Sequence, residues 1–595
     1  MWRRWIVLSL VLAGLAAPGG PAFAACVLGK VGELAVTMAG LTPTISAKID
    51  GRPLKMVVDT GAFFSMLTPQ AAVRLGLKVV PTPADMGDYI EGLGGPQRVG
   101  VATAKSFTLM GDSFHDADFT VGAPQLGGWT DGLLGENILG YADVELDLAN
   151  GVIRLFKPEG CNDDVDLAYW APAGGYSSIR IQPATAPMYE IVGHVQVNGH
   201  DMRAVFDTGA GRSYITRRAA REAGVTTQSP GVRAGGVGGG IGRRPFETWI
   251  APFRSFRIGD EKVENTELRI GGASIADADM LIGADFFLSH RVYISNSQHR
   301  LYFSYLGGPV FRLSPAPGAA PMPAPPPAAA SATPIPGAPD DAPMTAGAFG
   351  RRGAAFAARR DYADAIADFT RAAAMAPADP RFLYQRALAR FAEHQPALAR
   401  SDLDAALTLK PHYADALMAR ADLRLAAHDG AGARADFDAA ERLDPTLRLR
   451  AAETYLAQGD FEPAIVEFDA WIAANPKGAL SPAAFNGRCW ARALWGHDLN
   501  AALADCDEAL RLGPHVSSFL DSRGLVNLRL RRFDDAIADY DRSLRLQPKN
   551  PWSLYGRGLA RLEDGQKAAG EADLVAAEAL DPKLAGKARQ YGLAP

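Results

Sequence analysis

The sequence predicts a multidomain protein: two mainly-β lobes, each a small closed β-barrel, followed by an all-α solenoid of stacked helical hairpins. Three observations predict it. Five landmarks between Gly51 and Gly135 reappear 148 positions later, in register and without a gap. A Pro/Ala-rich run then interrupts the chain at 307–345. Beyond it, a proline returns about every 34 residues, the period of a helix-turn-helix unit. The 595 residues agree with a soft prior of about three to five domains at roughly 100–200 residues each.

The chain opens with a basic stretch, MWRRW, an apolar core, IVLSLVLAGLAA, and a small-x-small site, AFA, at residues 22–24. This is the pattern of a signal peptide over 1–24. The apolar core is short of the roughly 20 residues needed to cross a bilayer, and no later segment qualifies. A periplasmic or secreted protein is expected, without a transmembrane helix. FAAC also resembles a lipoprotein box in which Cys26 would be acylated, although Phe23 fits that box poorly. In an oxidising compartment the four cysteines suggest two disulfides, for which three connectivities exist. Position favours Cys26 with Cys161, which bracket the first lobe, and Cys489 with Cys506, which lie close in sequence.

The lobes are expected over 25–161 and 162–306. KIDGRPLKMVVDTGA and QVNGHDMRAVFDTGA align Gly51 with Gly199 and Asp59 with Asp207. Ser65 and Thr68 match Ser213 and Thr216, and PQAAVRLGL matches RRAAREAGV, one short helix in each copy. Gly92-Leu93-Gly94 matches Gly240-Ile241-Gly242, and Leu133-Leu134-Gly135 matches Leu281-Ile282-Gly283. Alternating strands led by DG and NG turns surround these landmarks, as a small closed β-fold requires.

Residues 307–345 hold too few large apolar side chains to bury a core and read as an extended, semi-rigid spacer. From 346 to 595 the period takes over. Pro377, Pro411, Pro445, Pro476, Pro514, Pro548 and Pro582 are each preceded by a small residue twelve positions earlier, alanine in six cases and Gly570 in the seventh. Eight positions before them stand Phe369, Leu403, Phe437, Phe468, Cys506, Tyr540 and Leu574. The array resembles the tetratricopeptide repeat family over 346–582, with about seven repeats. Its phase puts Cys489 and Cys506 on the two packed helices of repeat five.

Apolar-apolar-Asp-Thr-Gly-Ala, a glycine-rich hairpin and a later apolar-apolar-Gly are together the signature of aspartic peptidase lobes. Alanine after Asp-Thr-Gly makes each copy similar to the retropepsin branch. The resemblance covers roughly residues 30–305. It implies Asp59 and Asp207 as one catalytic dyad, one carboxylate activating water and one carboxyl protonating the substrate carbonyl. Thr60 and Thr208 would hold the two loops together, and Gly61, Ala62, Gly209 and Ala210 would form their tight turns. Leu134-Gly135 and Ile282-Gly283 would pack behind them. Gly92, Leu93, Gly94 and Gly240, Ile241, Gly242 would lie on flaps closing over substrate. The chemistry needs neither metal nor cofactor.

The reading that results is an exported aspartic endopeptidase acting on polypeptide, with the array recruiting substrate or a partner protein and the spacer letting it act at variable distance. Pairing of each lobe with its twin on another chain is equally compatible with exact register. The rival from another class is a non-catalytic scaffold, with inactive lobes that bind peptide beside a protein-interaction array. A net charge of −5 and the lack of a basic run give no reason to expect nucleic acid. The ten histidines form no metal-ligand spacing. GGVGGGIG lacks the GK[ST] of a phosphate loop. Asp277, Asp279 and Asp285 read as a solvated acidic loop.

Overall fold

A computed structural model describes residues 26–82, 89–92, 95–122, 130–171, 174–183, 190–238, 246–272, 275, 277–308, 310–311, 345–475, 480–514 and 516–595. Each lobe starts with a hairpin on a two-residue turn. Thr42–Ile49 returns as Arg52–Val58 through Asp50-Gly51, and Val192–Val197 returns as His200–Phe206 through Asn198-Gly199. All four turn residues have positive φ, between 49° and 86°. Asp, Asn and Gly tolerate that region, and its twist matches that of the flanking strands.

Each hairpin is then built into a closed six-stranded barrel. In lobe 1, Gly132–Leu134 runs parallel to Arg52–Val58 and antiparallel to Met66–Leu67. In lobe 2, Met280–Ile282 does the same between His200–Phe206 and Tyr214–Thr216. The barrels close where Thr42–Ile49 meets Gly100–Leu109 and where Val192–Val197 meets Phe246–Ile258. Thr68 caps the helix Pro69–Leu75 by accepting from Ala71 N, and Thr216 caps Arg217–Glu222 by accepting from Ala219 N. The sequence reading of one helix per lobe is corrected: Glu136–Leu139 and Ala284–Ser289 follow the apolar-Gly strands.

The lobes share a third sheet of six strands, in the order Val27–Ala35, Val152–Glu159, Asp143–Asp147, His290–Ser295, Arg300–Tyr305, Ser177–Arg180. Its centre joins the lobes within one chain, with Val144 opposite Ile294 and Leu146 opposite Val292. Glu145, fully buried there, accepts from Arg154 Nη1 of its own lobe at 2.6 Å and from Arg291 Nε of the other at 2.8 Å. A carboxylate buried this deeply is tolerable because two guanidiniums answer it. Disulfides join Cys26 to Cys161 and Cys489 to Cys506.

Among the described residues the array comprises seven helical hairpins, from Ala346–Ala358 with Tyr362–Met375 to Pro551–Glu563 with Lys567–Leu580, followed by Leu584–Gln590. The small residue twelve before each proline is buried at the helix crossing, Ala365 to Ala536 at 0% exposure. In six repeats an arginine grips a buried aspartate of the following helix. Arg352, Arg386, Arg420, Arg488, Arg523 and Arg557 place Nε 2.6–2.9 Å from one oxygen of Asp368, Asp402, Asp436, Asp505, Asp539 and Asp573, and Nη2 donates to the other. Repeat four breaks this ladder, with Ala451 and Glu467 at the matching places.

The array is docked on the lobes, which corrects the expectation of a spacer that sets it at variable distance. Ala354 and Ala355 of its first helix belong to the same apolar core as both barrels, and Arg351 Nε donates to Gly151 O at 3.0 Å. At the far end Lys549 Nζ donates to Val232 O of lobe 2 at 3.2 Å. Val310 and Phe311, expected in the spacer, are buried, with Phe311 edge-on to Phe256 at 4.7 Å. Small alanine faces let a helix approach closely enough to be part of the core. Residues 312–344 of the spacer and the proposed signal peptide lie outside the described residues.

Candidate active site

Asp59 and Asp207 each stand one residue past a buried strand, where the backbone leaves the sheet. Asp59 N donates to Leu134 O at 3.0 Å and Asp207 N to Ile282 O at 2.9 Å. The apolar-Gly segments therefore hold the loops from behind. Gly135 and Gly283 are required there, because a Cβ would lie 2.7 Å from Ala62 O and 2.6 Å from Ala210 O.

The two loops are locked by a reciprocal exchange between threonines. Thr60 N donates to Thr208 Oγ1 at 3.2 Å and Thr208 N to Thr60 Oγ1 at 3.0 Å. Each hydroxyl donates onward across the lobe boundary, Thr60 to Phe206 O at 2.9 Å and Thr208 to Val58 O at 2.7 Å. Both threonines are fully buried, so every one of these polar atoms needs its partner. The grip brings the carboxyls together. A Cβ on Gly61 would lie 2.5 Å from Asp207 Cγ, and one on Gly209 would lie 2.3 Å from Asp59 Cγ. Each carboxyl thus rests on the glycine of the opposite loop, and only glycine leaves room for it.

The carboxyls come together at the meeting of the lobes, each packed against the glycine of the opposite loop. Gly61 N donates to Asp59 Oδ1 at 3.0 Å, and Gly209 N and Ala210 N donate to Asp207 Oδ1 at 2.8 and 3.2 Å. Burial, and then the neighbouring Asp207 carboxylate, hold Asp59 well above the usual carboxylate range. Burial also raises Asp207, against the pull of its hydrogen bonds from Asp59 and the backbone. Two carboxyls so close and so enclosed resist ionising together.

Behind the loops stands a brace that sequence reasoning missed, Ser65 with Asn137 and Ser213 with Asp285. Asn137 Oδ1 accepts from Ser65 N at 2.8 Å and Ser65 Oγ at 2.9 Å, and Gly135 N donates to Ser65 Oγ at 3.1 Å. In lobe 2, Asp285 Oδ1 accepts from Ser213 N at 2.9 Å and Ser213 Oγ at 2.6 Å, and Gly283 N donates to Ser213 Oγ at 2.8 Å. Asp285 is therefore no solvated loop residue, as the acidic cluster suggested. It is 3% exposed, and burial lifts its carboxyl to about 6. The signal was present in the offset that aligns Asn137 with Asp285. Asp279 of the same cluster pairs with Arg218, and Asp277 is exposed. Glu136, beside Asn137, is lifted by burial to about 8, and its Oε1 has no hydrogen-bond partner.

In the segments expected to be flaps, Tyr89–Gly92 pairs with Gly95–Arg98 and Arg233–Gly238 with Phe246–Ile258. Gly92 ends the first of these strands. Leu93, Gly94, Gly240, Ile241 and Gly242 lie outside the described residues. Among the described residues, no cluster of three or more His, Cys, Asp or Glu could hold a metal ion.

Comparison with known proteins follows the same division. The family model described as aspartyl protease matches residues 45–141 and again 193–286. The tetratricopeptide repeat model matches 351–414, 384–448, 490–551 and 522–585. No curated protein matched the chain. Solved structures similar to it include a tetratricopeptide repeat protein from Parabacteroides merdae, 17% identical, covering 36% of this chain and 84% of that one at a TM-score of 0.29. The C-terminal part of a repeat-containing protein from Cytophaga hutchinsonii is 18% identical, covering 41% of this chain and 98% of that one at a TM-score of 0.32. A third, the Pseudomonas aeruginosa pilF protein, is 17% identical, covering 34% of this chain and 92% of that one at 0.28. The chain joins two tandem retropepsin-like lobes of the aspartyl protease family to a C-terminal array of tetratricopeptide repeats.

Proposed function

We propose that the protein is an exported aspartic endopeptidase whose single active site lies between its two lobes. The observation that carries this is the pair of carboxyls, Asp59 and Asp207, brought together over the crossed threonines, each against the glycine of the opposite loop. One carboxylate takes a proton from the attacking water. The other carboxyl gives its proton to the carbonyl oxygen, and a tetrahedral diol results. Its collapse breaks the C–N bond: the amine nitrogen takes a proton from the dyad, a diol hydroxyl gives one back as it becomes the carboxyl carbonyl, and the pair again holds one proton. The glycine N–H groups fix the carboxylate oxygens, so proton transfer demands little rearrangement. Thr60, Gly61, Ala62, Thr208, Gly209 and Ala210 position the dyad, with Leu134, Gly135, Ile282 and Gly283 behind them.

Two disulfides support an extracellular or periplasmic location, as does the basic and apolar start of the sequence. With its sulfur in a disulfide, Cys26 has no thiol to acylate. No helix among the described residues is long and apolar enough to cross a membrane. The array supplies a surface for polypeptide, as helical repeats do. Peptide cleavage by the secreted chain across pH 3–8 tests the proposal, beside Asp59→Asn and Asp207→Asn. Cleavage by the wild type, abolished in each variant while both remain folded, is expected. Peptide binding without cleavage at any pH would favour a recognition module over a peptidase.

A further inference from the structure

The array buries its aspartates under a consistent rule, and one of them departs from it. Asp368, Asp402, Asp436, Asp505, Asp539 and Asp573 each receive a bidentate arginine. Asp521, 8% exposed, has no cation within ion-pair distance among the described residues. Its hydrogen bond is from Ser553 Oγ to Oδ1 at 2.6 Å. A buried carboxylate without counter-charge is costly, and a protein that keeps one usually has a use for it.

Its surroundings say what that use is. Asp521 lines a cavity with Trp490, Trp552, Tyr540 and Tyr555, closed at one side by Leu593. Trp490, Asp521 and the pair Trp552 and Tyr555 come from the first helices of three consecutive hairpins, which pack side by side. Those helices form the face on which repeat arrays hold extended polypeptide. The two indoles stand edge to face, with centroids 5.9 Å apart at 88°. They are partly exposed and form the rim, whereas Tyr540 and Tyr555 are buried and form the floor. Arg529, further along the helix that carries Asp521, is turned away onto the carbonyls of Leu494 and Tyr591. The cavity holds about 240 Å³ including its open mouth, and its enclosed part has room for about one water-sized group.

We propose that this pocket binds a primary ammonium, the side-chain end of a lysine presented by an extended partner polypeptide. The aromatic faces offer negative quadrupole to a cation, and the carboxylate supplies the missing charge. An ammonium is the size of a water molecule, so it suits the enclosed space where a guanidinium is too broad. A long methylene stem would lie along the partly exposed indoles of the rim. Burial lifts the Asp521 carboxyl to about 6, which still leaves it largely ionised near neutral pH.

The inference rests on the reading of the array as a polypeptide-binding surface and is independent of the peptidase reading. The test uses the full chain labelled with 5-fluorotryptophan, in which Trp490→Phe and Trp552→Phe assign two of the fluorine resonances. The probes are the peptide acetyl-Ala-Ala-Lys-Ala-Ala-amide and its counterpart with norleucine in place of lysine. A saturable shift of both resonances is expected, at least tenfold tighter for the lysine peptide. Asp521→Asn, which keeps the shape and the contact with Ser553, is expected to weaken binding at least tenfold. Should that variant fail to fold, Trp552→Leu, with the carboxylate intact, reads the aromatic wall and is expected to weaken binding likewise. Equal binding of the norleucine peptide, or unchanged binding by the variants, overturns the pocket while leaving a polypeptide surface in place. No saturable shift with either peptide overturns both.

Discussion

The two lobes have the same Asp-Thr-Gly-Ala loops and different supports. Around the dyad the correspondence is nearly atom for atom, with Thr60 answering Thr208 and Gly61 answering Gly209. One step behind, lobe 1 holds its loop with the neutral amide of Asn137, and lobe 2 holds its own with the carboxyl of Asp285. Glu136, buried beside Asn137, has Ala284 as its counterpart. In front, Phe63-Phe64 of lobe 1 faces the role of Gly211-Arg212 in lobe 2. The difference teaches where duplication is held fixed. Groups that share the proton and the grip must match, because each completes the other. Groups that serve one lobe alone are free to diverge, in charge as well as in size.

The largest break in the comparison comes at the dyad. Asp59→Asn and Asp207→Asn are each expected to lower kcat/KM by about 10²–10⁴-fold, and the double variant to lose little more than either. A clear inequality between the single variants would show that the two carboxyls are not one unit.

Next come the unequal supports, which titrate differently. Glu136 goes from about 4.5 unfolded to about 8 folded, and Asp285 from about 3.8 to about 6. A carboxyl raised by folding favours the native state while protonated, and that advantage is lost as pH rises from the unfolded towards the folded value. Lobe 1 is thus expected to lose up to about 5 kcal/mol between pH 4.5 and 8, and lobe 2 up to about 3 kcal/mol between pH 4 and 6. Glu136→Gln and Asp285→Asn should each flatten the urea-unfolding profile over its own window, only Glu136→Gln acting above about pH 6. Asp285→Asn would make lobe 2 a copy of lobe 1 at this position. A profile unchanged by either substitution would contradict the burial argument.

The shared grip gives a smaller and symmetric effect. Thr60→Val orphans Thr208 N and Phe206 O of lobe 2, and Thr208→Val orphans Thr60 N and Val58 O of lobe 1, at about 2 kcal/mol for each variant by urea unfolding. Unequal costs would place the junction mainly in one lobe. Smallest is the array's outer contact. Lys549→Ala removes one partly buried hydrogen bond and is expected to cost under about 1 kcal/mol in a thermal melt, with cleavage of short peptides unchanged.

Most of the barrel and loop architecture was legible because duplication wrote it twice, and the helical array because its prolines mark every unit. The arginine–aspartate ladder also has a sequence trace, an aspartate nine positions before six of the seven prolines, but periodic charge on a helix reads as a solvated face until its burial is known. Asp285 misled for a related reason. Its acidic neighbours in sequence are the exposed Asp277 and the Arg218-paired Asp279, and only the helix Ala284–Ser289 turns Asp285 inward onto Ser213. The docking of the array left no motif at all. It depends on alanine faces that look the same in any helical repeat, and on single contacts such as Arg351 to Gly151.

The most direct test of the central claim, one dyad made within one chain, is to mix inactive Asp59→Asn with inactive Asp207→Asn protein and measure peptide cleavage. The lobes share a continuous sheet through Val144 and Ile294, so no activity is expected to return on mixing. Activity that recovers with time would contradict the account, because it requires an intact Asp207 from one chain to meet an intact Asp59 from another.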